Sequence, residues 1–305
     1  MSEMTVIAEG LKFPEGPIAM PDGSVILVEI AAGRLTRVLP DGRKEVVAEP
    51  GGGPNGAAIG PDGACYVCNN GGMRFHEKNG LLFPGDMPKD YSGGRIERID
   101  LNTGKIEVLY TEVDGEPLKG PNDIVFDKAG GFWFTDLGKG RGRTQDRGGL
   151  YYARADGSMV KEVVFPIVSP NGVGLSPDEK TVFVADTIPG RLWSFEIAGE
   201  GEIKRAPGPF PGRFVGSPAG LNFFDSLAVD GDGNVCVATI FNPGITIFAP
   251  DGSSIRHFPT DDAITTNICF GGEDLRTAYI TLSSSGRLVA VPWERPGLAL
   301  NFLNK

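Results

Sequence analysis

A unit of about 50 residues recurs along this 305-residue chain, and a repeat of that period constrains the fold more than any other property of the sequence. Each copy opens with a small polar turn that holds an acid or an amide. It runs into a short apolar strand, reverses at a Pro-Asp-Gly-like turn, and returns as a second apolar strand. The openings are Phe13-Pro14-Glu15-Gly16-Pro17, Gly53-Pro54-Asn55-Gly56, Gly120-Pro121-Asn122-Asp123, Ser169-Pro170-Asn171-Gly172, Phe224-Asp225-Ser226 and Thr266-Asn267-Ile268. The reversals, such as Pro21-Asp22-Gly23 and Pro61-Asp62-Gly63, use residues that tolerate hairpin dihedrals. The second strands (SVILVE, ACYVCNN, GFWFTD, TVFVAD, NVCVAT, TAYITL) are rich in β-branched and aromatic residues. In most copies a third strand follows, introduced by Gly: GRLTRV, GRIERI, GLYYAR, GRLWSF.

Short strands repeating at that spacing are the pattern of a propeller blade, and no long segment keeps a 3.6-residue period. The expectation is an all-β chain forming one six-bladed β-propeller domain over residues 1–305. The last copy stops after its third strand, GRLVAVPW, while residues 5–9 form a free apolar strand ahead of the first opening. That N-terminal strand is expected to close the ring, which removes an exposed sheet edge.

Gly 45 and Pro 24 supply the turns, and a hydrophobic share of 40% is enough for a substantial core. The formal net charge of -10 argues against nucleic acid, because phosphate neutralisation needs clustered Lys and Arg. A small molecule or a cation fits better. The N-terminus lacks a cationic stretch followed by an apolar one, and no window approaches the roughly 18 apolar residues of a membrane span. The expected location is therefore the cytoplasm, without a membrane partner; self-association into a homo-oligomer is left open. Cys65, Cys68, Cys236 and Cys269 all lie in apolar alternating segments and read as buried free thiols. Cys65 and Cys68 sit three apart in a strand, so their side chains point to opposite faces, which argues against a redox or zinc pair.

If every innermost strand starts at one face, Glu15, Asn55, Asn122, Asn171, Asp225 and Asn267 form a ring of oxygen donors around the axis. Asn before Gly is also a common turn choice, which accounts for Asn55 and Asn171 taken singly. It does not account for Glu15 and Asp225, because two carboxylates facing a narrow channel repel one another unless a cation or protons compensate them. Carboxylate and amide oxygens without matching His or Cys suit a hard divalent cation. Calcium leads, with magnesium, manganese, zinc and iron(II) also compatible. His76 falls in a loop and His257 in an outer-strand pattern, and neither is expected to be a ligand.

The motifs FPEGP, GPNDIVFD with GFWFTD, SPNGVGLSPD and FDSLAVDGDGNVCVA resemble the senescence marker protein, gluconolactonase and luciferin-regenerating-enzyme family over nearly the whole chain. The resemblance implies a metal held by Glu15, Asn171 and Asp225, and a substrate-binding or shell-completing role for Asn122. It implies a divalent-metal-dependent lactonase that opens a sugar-acid or related small lactone. A carboxylate beside the ion can orient or deprotonate water, which makes Asp225 the expected catalytic residue. One departure from the family is Gly120, where animal gluconolactonases carry Arg two residues before the Asn. No Gly-x-Ser-x-Gly elbow is present, so direct attack by water is preferred to an acyl-enzyme. The competing readings are a phosphotriesterase-like hydrolase on the same metal, a lyase or isomerase, and a non-catalytic ligand-binding propeller.

Two loops complete the expectation. The long insertion at residues 69–92 carries Met73, Phe75, His76, Leu81, Leu82, Phe83, Pro84 and Met87, and is expected to form an apolar lid over the mouth. Gly138-Lys139-Gly140-Arg141-Gly142-Arg143 follows no βαβ unit and is not a dinucleotide fingerprint. Its cations read as a solvated surface loop in preference to an anchor for an anionic substrate.

Overall fold

The computed structural model describes residues 4–305. Six antiparallel sheets of four main strands stand around a common axis, one per sequence repeat. The innermost strands are Pro14–Ala19, Pro54–Ile59, Pro121–Phe126, Pro170–Leu175, Phe223–Val229 and Thr265–Gly271, which begin blades one to six in that order. Blade four carries an additional strand, Arg213–Gly216, beside its third. Thr5–Ala8 pairs with Arg287–Pro292, Thr5 opposite Ala290 and Val6 opposite Val289, so the N-terminal strand completes blade six and closes the ring as expected. Among the described residues the only helical element is the 3-10 turn Ile30–Ala32, and no helix is long and apolar enough to cross a membrane.

The core lies between blades. The second strands Val25–Glu29, Cys65–Asn69 and Gly131–Asp136 are buried along their whole length, and the other three over most of theirs, because each is covered on both faces by the neighbouring sheets. This explains their near-continuous apolar sequence. Cys65 packs with Ile26 and Val28 of blade one, while Cys68 packs towards Phe132 and Phe134 of blade three. The two thiols therefore sit on opposite faces of their sheet, and all four cysteines are buried and free.

All six inner strands share a break in register near their start. Pairing with the second strand shifts by one residue between Glu15 and Ile18, Pro54 and Ala57, Pro121 and Ile124, Pro170 and Val173, Phe224 and Leu227, and Thr265 and Asn267. A bulge inserts one unpaired residue and re-aims side chains, so a bulge repeated at one height turns one side chain per blade towards the axis. In blades one, two and four the residue after the turned one is glycine, and the neighbouring blade leaves no room for a side chain there. At Gly16, with φ +53°, an added Cβ would lie 2.5 Å from the carbonyl oxygen of Asn55. At Gly172 it would lie 2.7 Å from the amide nitrogen of Leu227 and 2.8 Å from the carbonyl oxygen of Asp225.

The far end of the axis is closed by a segment that the repeat does not contain. After blade six the chain crosses beneath the ring, with Leu298 N–H donating to Val229 O at 3.0 Å and Asn301 Nδ2 donating to Glu179 Oε1 at 2.8 Å. Leu298, Phe302 and Leu303 pack against the apolar layers of three different regions of the ring. The axis is thus sealed at one end and open at the other.

Candidate metal centre and substrate cavity

The open end is a cavity of about 440 Å³, and Glu15, Asn55, Asn122, Asn171 and Asp225 all line it. Five of the six expected ring positions therefore converge, although they are contributed by strands up to 210 residues apart. The sixth expectation, Asn267, is displaced. In blade six the residue that lines the mouth is Thr266, and Asn267 lies one level deeper, lining the space on the sealed side of the axis. The bulge explains this: Thr265 and Asn267 both pair with the second strand, leaving Thr266 as the unpaired residue. Asn267 instead donates Nδ2 to Glu15 Oε2 at 2.7 Å, which fixes the carboxylate from below.

Asp123 and Ser226 occupy that same lower level beside Asn267, at positions where other blades have Gly16, Gly56 and Gly172. Asp123 is buried, with Oδ1 accepting from Ile124 N–H at 3.0 Å and Oδ2 from Val173 N–H at 3.1 Å. Aligning the repeats shows a carboxylate where three blades use glycine, and that was the signal available for Asp123.

The electrostatics of the centre are unbalanced. Burial pushes the Glu15 carboxyl well above the usual carboxylate range, and the nearby charges of Asp225 and Asp123 add to this. Asp225 keeps part of its surface open to the cavity but is enclosed by protein, and desolvation raises it too, opposed by a hydrogen bond from Asn171. Asp123 is raised to about 7, again mainly by burial. Among the described residues none of these three acids is ion-paired with Lys or Arg. Two oxygens, Glu15 Oε1 and Asn122 Oδ1, are buried without any hydrogen-bond partner. An orphaned carboxylate oxygen costs about 1–3 kcal/mol or more, so it calls for a cation or proton.

The donor set fits a hard divalent cation. Among the described residues no group of three or more His, Cys, Asp or Glu is arranged to hold a metal, so an ion here draws on amide oxygens as well as carboxylates. That mixture suits calcium more than zinc. His76 lies on the exposed hairpin strand Phe75–Lys78 and His257 in the outer strand Ile255–Pro259, away from the cavity.

The insertion at residues 69–92 forms one wall. Its hairpin pairs Phe75–Lys78 with Leu81–Pro84. Leu82 N–H donates to Ser284 O of blade six at 2.9 Å, and Met87 N–H to Gly140 O of blade three at 3.0 Å, so the segment bridges the mouth. Met73, Phe83, Pro84 and Met87 line the cavity, whereas Phe75 turns away to pack on Phe13, ring centroids 4.9 Å apart. Across from it Phe223 and Phe241 supply apolar surface.

The loop Gly138–Arg143 departs from expectation at one residue. Arg141 is ion-paired with Asp146 at 2.9 Å, as a surface side chain would be. Lys139 is instead buried and lines the cavity, because Asn70 Oδ1 and Gly72 O draw its Nζ inward at 2.9 and 2.8 Å. Gly120, beside it, has no room for a side chain: an added Cβ would lie 2.6 Å from Gly138 O.

Residues 13–284 match the model of the SMP-30/gluconolactonase/LRE-like region. The chain is 32% identical over 250 residues to a lactonase drp35 of Staphylococcus haemolyticus, covering 81% of this chain and 69% of that protein. It is 24% identical over 310 residues to a gluconolactonase of Zymomonas mobilis, covering 91% and 78%. The fold superposes on a regucalcin from Agrobacterium tumefaciens with a TM-score of 0.74, at 20% identity over 99% of both chains. Six blades, an axial ring of carboxylates and amides at one end, and a family match spanning all six inner strands agree: the chain belongs to the SMP-30/gluconolactonase/LRE-like family.

Proposed function

We propose that this propeller is a cytoplasmic hydrolase that opens a small lactone at one divalent cation, calcium by preference, held by Glu15, Asn171 and Asp225. The observation that carries the reading is the pair of orphaned oxygens, Glu15 Oε1 and Asn122 Oδ1, at a cavity whose two ring acids, Glu15 and Asp225, have no ion pair with Lys or Arg among the described residues. The lactonase and gluconolactonase relatives supply the substrate class.

When bound, the ion supplies Lewis-acid stabilisation of negative charge developing on the lactone carbonyl oxygen. Asn122, next to the ring, presents its side-chain oxygen towards the same space and orients substrate. Asp225 holds the attacking water through a carboxylate oxygen and takes one of its protons. The water oxygen bonds to the carbonyl carbon, the ring C–O bond breaks, and the proton held by Asp225 passes to the departing ring oxygen. The product is a hydroxy acid, which releases one proton at neutral pH. Asn267 keeps Glu15 in position, and the wall of Met73, Phe83 and Met87 excludes bulk water from the reacting bond.

The test is a pH-indicator assay across lactones and, in parallel, phosphotriesters, with and without chelator. Lactone opening lost on chelation and restored by calcium is the expected result. Undiminished activity after chelation overturns the metal assignment, and turnover of phosphotriesters alone overturns the substrate class.

A further inference from the structure

Lys139 is the single Lys or Arg that is buried among the described residues, and it lies on the wall of the cavity rather than in an ion pair. Two of its three ammonium protons go to Asn70 Oδ1 and Gly72 O, and the third has no acceptor among the described residues. Its charge is met only at longer range by Asp136, whose own oxygens are occupied by the amides of Lys119, Gly120 and Gly138, and by the Tyr91 ring 5.5 Å away. A buried cation without a contacting anion is costly, and proteins keep such groups where a ligand completes them.

A second, independent observation lies beside it. Asn70 Oδ1 accepts from both Lys139 Nζ and Gly72 N–H, which fixes the amide orientation and leaves Nδ2 as a donor. That Nδ2 is buried and has no partner. Two adjacent cavity-lining side chains thus carry unfilled donors, one of them charged. Apart from the polar ring at the axis and Asp86, Gln145 and Thr187, the wall is built from apolar side chains, Phe13, Met73, Phe83, Phe223 and Phe241 among them.

We infer that Lys139 and Asn70 form a carboxylate-binding subsite, and that the substrate is a lactone with an apolar body and a free acid group. The inference rests on the lactonase reading for the ring that is opened, but not for the acid that is recognised. Lys139 and Asn70 are specificity-determining residues, because they hold the acid group and leave the reacting bond to the ring at the axis.

Two experiments separate the readings. In the first, the ratio of kcat/KM for a γ-lactone bearing a free carboxylate to that for its methyl ester is measured. The wild type is expected to favour the acid by tenfold or more. Lys139→Met and the near-isosteric Asn70→Asp, which replaces the Nδ2 donor with an acceptor, should each bring the ratio down about tenfold. A ratio that stays unchanged in both variants overturns the subsite. In the second, binding of cyclohexanecarboxylate and cyclohexanecarboxamide is measured by calorimetry in the presence of chelator, so that no metal can take the acid. Selective binding of the carboxylate, lost in Lys139→Met, supports the subsite even if no lactone is hydrolysed. Equal binding of acid and amide overturns it, and leaves the lactonase reading to the first assay.

Discussion

At the scale of single residues, the centre is defined by groups that the protein leaves unfinished. Glu15→Gln and Asp225→Asn remove negative charge that burial already disfavours, so both variants should fold. Each should lose on the order of 10²-fold or more in lactone turnover. Calcium at a hundredfold excess over its Kd should stabilise the wild type by about 2.7 kcal/mol, read as a rise in Tm, while the two variants show no such rise. A calcium response retained in Glu15→Gln would remove Glu15 from the site. Lys139 gives a pH signature. Desolvation lowers its pKa from 10.5 to about 8, with Arg141 adding to the effect and Asp136 opposing it. The folded state therefore binds fewer protons than the unfolded state between about pH 8 and 10.5, and the Lys139 contribution to stability rises with pH across that window. Lys139→Met should look most favourable relative to wild type below pH 8 and lose that advantage towards pH 10.5, as measured by urea midpoints. Preference for the acid-bearing lactone should fade over the same rise, as Nζ loses its proton. Residues such as Glu15, Asn171 and Asp225 were legible in the sequence because a carboxylate or amide recurs at one phase of the repeat. Lys139 was not, because its burial depends on Asn70 and Gly72 of another blade.

At the scale of elements, the repeated bulge does the positioning. It turns one residue per inner strand to the axis, and it sets the two levels of the ring, mouth and floor. Gly172→Ala forces a Cβ against Leu227 N and the Asp225 carbonyl, both backbone atoms that cannot swing aside. A cost of roughly 1–3 kcal/mol in stability is expected, together with loss of activity as Asp225 shifts. Unchanged Tm and turnover would show that the inner strands are not held at this point. The one-residue shift at Thr265–Asn267 is why Asn267 was assigned to the mouth from sequence and stands on the floor in the structure. A motif marks where a strand opens, whereas a bulge is a property of two paired strands. The insertion at residues 69–92 was expected to be an apolar lid because its hydrophobic content is unusual for a loop; Met73, Phe83, Pro84 and Met87 do line the cavity, but as one wall of it. Its anchors on Ser284 and Gly140 became visible only once the blades were arranged in a ring.

At the scale of the whole molecule, closure from both ends of the chain joins six similar sheets into one ring. Deleting residues 1–9 removes the strand that covers Arg287–Pro292, the buried Ala8 with it, and exposes a sheet edge. A lower Tm is expected for the entire ring in a single calorimetric transition. A separate low-temperature transition would mean that blade six melts alone. Truncation after Trp293 should also lower Tm, because Leu298, Phe302 and Leu303 then leave apolar surface bare at the sealed end of the axis. That C-terminal plug lies outside the repeat and left no periodic trace in the sequence.

The sequence alone determined the number of blades, the closing strand, the identity of the ring acids and the apolar wall. Each is written in local features: turn residues, strand alternation and the phase of a 50-residue period. Tertiary structure decided which level each ring residue occupies, that Lys139 is buried beside Asn70, that Asp123 belongs to the same charged centre, and what seals the far end. These depend on bulges and on contacts between blades, where residues far apart in the chain set each other's solvation, and no local pattern encodes a dielectric environment.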